Sequence, residues 1–161
     1  SFVSIVTTTI VPKLRVFQFR LIHRNLVTNK NLALWKIKDS DLCTFCNEEQ
    51  ESIFHLLWEC TFAQRVWYRL FNWITETTQV NIRFTTEEIL FGIINSDNFQ
   101  AHNTIFVITK QYLYACRTLE TLPIFDQLLS KIQEMIKLEK RIAFNKNKAQ
   151  IHNQKWNQFV Q

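Results

Sequence analysis

The chain has 161 residues, 47% of them hydrophobic, and a formal net charge of +5. That is the length of one ordinary domain, enough to bury roughly 70% of the surface the unfolded chain exposes. No apolar run reaches the roughly 18 residues a membrane-spanning helix needs, so we expect a soluble chain without a membrane partner. It begins at Ser1 and runs at once into FVSIVTTTIVPK, which reads as a fragment of a longer polypeptide in which start-site targeting cannot be judged.

One glycine (Gly92) and two prolines (Pro12, Pro123) leave the strongest breakers of regular structure nearly absent. Long stretches rich in Leu, Ile, Phe, Glu, Gln and Lys favour helices over short strands joined by tight turns. The expected fold is mainly α: a small helical domain with a cysteine loop near its N-terminal third. Residues 1–80 would hold a basic helix, that loop and a following helix; residues 81–161 would form a helical segment packed on them. Charge is uneven. Residues 1–38 carry seven Lys/Arg and no acid, whereas residues 39–60 carry six acids and no Lys/Arg. A basic start and a basic end around a small acidic loop point to a polyanionic partner. Lysine-rich solvated helix faces explain the same composition equally well.

In chain order, residues 12–36 read as a helix followed by a second short one, with a break and cap near Thr28. Residues 39–60 are the cysteine loop. Residues 61–78 start with a capping threonine and place Val66, Leu70 and Trp73, with Trp67 and Ile74, at helical spacing. A short helix follows, with Thr85 or Thr86 ahead of Glu87 and Glu88 as its cap. Residues 99–119 form a longer helix that stops before Pro123. Beyond it Phe125, Leu128, Leu129, Ile132, Met135, Ile136 and Ile142 recur every three to four residues, an amphipathic stripe that is core packing. Lys137, Arg141 and Lys148 are placed on its polar side, and HNQKWNQFVQ either continues it or frays.

The loop CTFCNEEQESIFHLLWEC holds three of the four cysteines and one of the four histidines, spaced C-x2-C-x8-H-x4-C. Cysteines with two residues between them place both sulfurs on one ion through a tight knuckle, and a histidine and cysteine five apart on a helix can converge from the other side. Cys43, Cys46, His55 and Cys60 would thus complete a closed tetrahedral shell, the mark of structural zinc. A disulfide is the first alternative, and a basic helical chain without a secreted cysteine framework argues against it. Buried free cysteines are the second, and they explain neither the clustering nor the polar NEEQE between them. Cys116 reads as an inert core thiol. His102 and His152 read as surface or capping residues, and His23 as a solvated one.

The flanks of the loop carry a resemblance. KLRVFQFRLIHRNLVTN and LCTFCNEEQESIFHLLWECTFAQRVW, with a Glu-Ser before the histidine and a Trp seven residues after the last cysteine, resemble the zinc-binding domain that follows the reverse transcriptase in LINE-type (non-LTR) retrotransposon polyproteins. KQYLYACRTLETLP and EKRIAFNKNKAQIHNQKW are similar to the C-terminal tails of such polyproteins. The resemblance implies that Cys43, Cys46, His55 and Cys60 bind Zn2+, and that the chain binds RNA or DNA during target-primed reverse transcription. It further implies a reverse transcriptase partner in the same polyprotein and a ribonucleoprotein shared between cytoplasm and nucleus. Nothing here matches the polymerase's catalytic aspartates, so we expect no catalytic activity and no small-molecule substrate. On a helical wheel Lys13, Arg20 and Arg24 fall within about a 40° arc with Phe17 among them, a set suited to phosphates and a stacked base. Lys30, Lys36 and Lys38 lie near the loop and would extend that patch. The plain alternative turns Phe17 inward and leaves the cations as solubilising charge. A rival reading of the whole chain is a structural and protein-interaction module that docks on the polymerase or a host factor, retained in the host or not.

Overall fold

Pro12 opens the first helix, α1 (Pro12–Ile22), at a position where a missing N–H costs nothing. Thr28 starts the second, α2 (Asn29–Leu34): Asn31 Oδ1 accepts from the Thr28 N–H at 3.1 Å and from its hydroxyl at 2.8 Å. The computed structural model describes residues 9–94 and 97–160; the first eight residues of the expected 1–80 segment lie outside them. After the cysteine loop come a π turn (His55–Glu59), α3 (Thr61–Thr78), α4 (Thr86–Phe91), a 3-10 turn (Asp97–Phe99), α5 (Gln100–Thr118), α6 (Phe125–Asn145) and α7 (Ala149–Trp156). Among the described residues there is no strand; Leu42 and Gln50 form one isolated antiparallel bridge.

α5 lies at the centre. Its residues Ala101 to Lys110 are all buried, as expected of a helix packed on every side, here by α1, α4, α6, α7 and the π turn. Side chains from both halves of the chain enter one hydrophobic cluster. Phe106 of α5 meets Trp67 and Phe71 of α3 edge-on, with ring centres 5.9 and 6.1 Å apart.

Four expectations change. Thr61 is the first residue of α3, and Cys60 holds the cap position. Residues 152–160 neither continue α6 nor fray: α7 folds back and buries Trp156, and Phe159 stacks on Trp73 at 5.8 Å. Lys148 sits at the start of α7, off the α6 face that carries Lys137 and Arg141. His102 and His152 are buried rather than on the surface. Cys116 is a buried core thiol, as expected.

Candidate metal centre

The loop is pinched at its base. The Cys43 N–H donates to Glu49 O and the Glu51 N–H to Asp41 O, both at 2.8 Å. Within it the chain turns at Asn47, whose φ of 56° is left-handed and whose N–H donates to Cys43 O at 2.9 Å. That turn brings Cys46 back beneath Cys43, and the Phe45 N–H donates to Cys43 Sγ at 3.4 Å.

His55 and Cys60 reach the same point by a less obvious route. In an α-helix, five residues overshoot one full turn by about 140°, which would aim the two side chains apart. The structure reduces the overshoot with the π turn, in which the Cys60 N–H bonds to His55 O, five residues back, at 2.8 Å. Trp67 Nε1 donates to Leu57 O at 2.7 Å and so holds a carbonyl of the widened turn. Cys60 then holds the cap position of α3, and the backbone of Phe62 and Ala63 helps to lower its thiol.

All four donor atoms lie within 4.8 Å of one another. Cys43 Sγ and Cys60 Sγ are 3.9 Å apart, and Cys46 Sγ and His55 Nε2 are 3.4 Å apart. A tetrahedral zinc, with Zn–S near 2.3 Å and Zn–N near 2.0–2.1 Å, requires S···S edges of about 3.8 Å and S···N edges of about 3.5 Å. A disulfide requires sulfurs about 2.0 Å apart, so the Cys43–Cys60 separation excludes that alternative for this pair. The donor set is therefore compatible with one zinc ion. A proton shared with Cys60, together with burial, pushes the Cys43 thiol up, and the same sharing pulls the Cys60 thiol down. One buried sulfur is already inclined to be a thiolate, the form that ligates metal.

Behind the four ligands stands a residue that the sequence pattern does not single out. Glu51 is fully buried. Its carboxylate accepts from Thr44 N (2.7 Å) and Thr44 Oγ1 (2.6 Å) in the knuckle, from Asn29 N (2.8 Å) at the start of α2, and from Arg117 Nε (2.8 Å) on α5. Asn29 Oδ1 in turn accepts from Arg117 and Lys38, both at 3.1 Å. Burial alone would raise the carboxyl's pKa, but the donors from Thr44, Asn29 and Arg117 outweigh it and hold it below its ordinary value. Glu51 thus locks the knuckle to two helices. In the sequence it is one acid among the polar NEEQE, and its place before Ser52 and His55 is the only signal.

The basic face is rearranged. Lys13 and Arg20 are exposed on α1, but Phe17 between them is only 6% exposed and packs against Tyr114, so it is not available to stack on a base. The apolar stripe Leu14, Phe17 and Leu21 turns inward onto α5, which is the plainer of the two sequence readings. Arg24 lies beyond the end of α1 at a φ of 56° and leaves the arc drawn for it. Lys13 and Arg20 line a groove with Lys131, whereas Arg24 and Lys30 line a different one. Lys30, Lys36 and Lys38 are exposed near the loop.

Residues 2–67 of the chain match the family model described as zinc-binding in reverse transcriptase (zf-RVT). The matched stretch contains all four clustered donors, Glu51 and α1. Comparison with curated proteins and with solved structures gives no match.

Proposed function

We propose that the chain is a zinc-stabilised nucleic-acid-binding segment of a LINE-type retrotransposon polyprotein, which holds template RNA or target DNA beside the reverse transcriptase during target-primed synthesis. Four donor atoms within 4.8 Å, inside the stretch that matches the reverse-transcriptase zinc-binding family, carry this reading. Three thiolates and one imidazole fill a tetrahedral shell, so zinc here organises the loop and leaves no coordination position for substrate. The segment contributes binding rather than catalysis. Lys13, Arg20 and Arg24, on and just after α1, and Lys30 and Lys36, nearer the loop, are exposed cations that suit a phosphate backbone. Such a segment would work within a ribonucleoprotein that forms in the cytoplasm and acts in the nucleus.

A second reading has its own observation. Leu34, Trp35 and Ile37 stand 75%, 54% and 71% exposed beside the loop, an apolar knob suited to docking on the polymerase body. Binding of the zinc-loaded chain to single-stranded RNA, duplex DNA and a nicked duplex at two salt concentrations separates the two. Affinity that falls steeply with salt supports the first reading. No binding at low salt, with zinc bound and the helices intact, overturns it in favour of the second.

A further inference from the structure

The groove that holds Arg24 and Lys30 combines cations with exposed aromatic rings. It encloses about 700 Å³ between the end of α1, the start of α2, the segment leading into His55, and the end of α4. Arg24 and Lys30 are both exposed, and neither forms an ion pair among the described residues. Among the described residues, no carboxylate lines the groove. Its lining also contains Phe54, 44% exposed, and Phe91, 45% exposed, two rings brought together from segments far apart in sequence. Asn31 adds a donor: its amide oxygen is used by Thr28, which leaves the NH2 end for the groove.

We infer that this groove binds unpaired nucleic acid, with bases stacked on Phe54 and Phe91 and the backbone phosphates held by Arg24 and Lys30. This rests on the nucleic-acid reading above and narrows it to a strand state and a place. Exposed rings beside cations with no neighbouring acid form the stacking platform and phosphate track that single strands use. A duplex keeps its base faces covered and would engage only the cations, which leaves both rings without a role. Every base has a π face, and the groove lacks an array of donors and acceptors for base edges, so binding tolerates sequence. The groove is also coupled to the metal. Ser52, Ile53 and Phe54 line it and run directly into His55, so an ion held by His55 would also set where Phe54 stands.

The test uses the zinc-loaded 161-residue chain and fluorescence anisotropy with labelled strands of mixed sequence: a single-stranded RNA, a blunt duplex, and an abasic strand of equal length and charge. Phe54→Ala with Phe91→Ala is expected to weaken single-strand binding at least tenfold, since stacking contributes about 1–3 kcal/mol per base, and to leave duplex binding within about twofold. Arg24→Gln with Lys30→Gln is expected to reduce the slope of log affinity against log salt by about 0.7 for each phosphate left without its cation. Lys137→Gln with Arg141→Gln, exposed on α6 and outside the groove, is the comparison and is expected to leave the single-strand preference unchanged. If the ring variant fails to fold, the Arg24 and Lys30 pair, which is exposed, still decides the place.

The groove is overturned if single-strand binding survives both groove variants, or if the abasic strand binds as tightly as the intact one; the nucleic-acid reading then stands. If the folded, zinc-loaded chain binds no strand at all, both fall and a protein becomes the occupant to seek.

Discussion

Cys46 is the half-buried member of the four donors; Cys43, His55 and Cys60 are buried. Its loss therefore costs little packing, and Cys46→Ser reports on metal binding more than on the core. Structural zinc contributes about 10–16 kcal/mol of apparent binding energy to small sites, comparable to the whole stability of a domain, about 5–15 kcal/mol. We expect Cys46→Ser, or removal of zinc by a chelator, to melt residues 39–60 and the start of α3, with loss of helical ellipticity and a lower Tm. Circular dichroism with parallel zinc quantification checks this; unchanged melting after verified metal removal would contradict it. The four donors were legible because cysteine and histidine are rare and their spacing is restrictive. Glu51 was not, because a buried carboxylate with several donors is spelled like the exposed Glu48 and Glu49 beside it. Its donors set it apart, Thr44 and Asn29 in the fold around the loop and Arg117, 66 residues later.

At the level of elements, boundaries marked by a capping threonine or a proline were readable, and the end of α1 at Ile22 and the break before α7 were not. Thr28, Thr85 and Pro123 announce starts or stops by side-chain or ring chemistry. Ends are normally marked by glycine, and this chain has one, Gly92, at the close of α4 with a φ of 98°. The ends of α1, α2, α5 and α6 instead use Arg24, Lys36, Glu120 and Asn147 at φ of 53–57°. Each has the same pair of bonds: Thr121 N to Cys116 O and Glu120 N to Arg117 O after α5, for example, and Asn25 N to Arg20 O and Arg24 N to Leu21 O after α1. These are Schellman closures made without glycine. A helical wheel therefore had no visible reason to stop at Ile22, and it carried Arg24 onto a face the backbone never gives it. A left-handed L-residue costs about 1–2 kcal/mol, and glycine's extra chain entropy returns about 0.5–1 of that. Glu120→Gly, at an exposed site, should stabilise by about 0.5–1 kcal/mol, or roughly 1–4 °C in Tm for a chain of this length. Glu120→Ala gains none of this, because its Cβ keeps the penalty. Paired thermal melts decide the point, and equal Tm values for the two variants would refute it.

For the molecule as a whole, the sequence reads residues 99–119 only as a longer helix, and the structure buries its polar residues along with its apolar ones. Gln18 and the Leu90 carbonyl receive the Lys110 ammonium, and burial pulls its pKa down to about 7. Asn103 exchanges bonds with the backbone of Ile93. Glu139 on α6 accepts from Thr9, Lys155 and Trp156 and so ties both ends of the described chain to the core. Pairings this far apart in sequence leave no local pattern to read. His102 is the exception among these buried polar groups: its two ring nitrogens have no hydrogen-bond partner among the described residues. It is 1% exposed, and Phe84, Phe99 and Phe159 surround it at ring-centre distances of 5.3–5.5 Å. Burial lowers its pKa from 6.5 to about 4. Below pH 6.5 the unfolded chain takes up a proton that the folded chain refuses, so the stability from a neutral His102 is complete above that pH and drains away as pH falls toward 4. At about 1.4 kcal/mol per unit the full loss is about 3 kcal/mol. His102→Leu removes both the titration and the two orphaned nitrogens. Its stability advantage over the parent chain, from urea midpoints at matched zinc, should be about 1–3 kcal/mol at pH 7 and should widen steadily down to about pH 4.5. Acid loss through Glu51 and through the metal donors is common to both chains and cancels in the difference. A gap that stays constant with pH would show that His102 accepts its proton in the folded state, and that the aromatic cage opens to water.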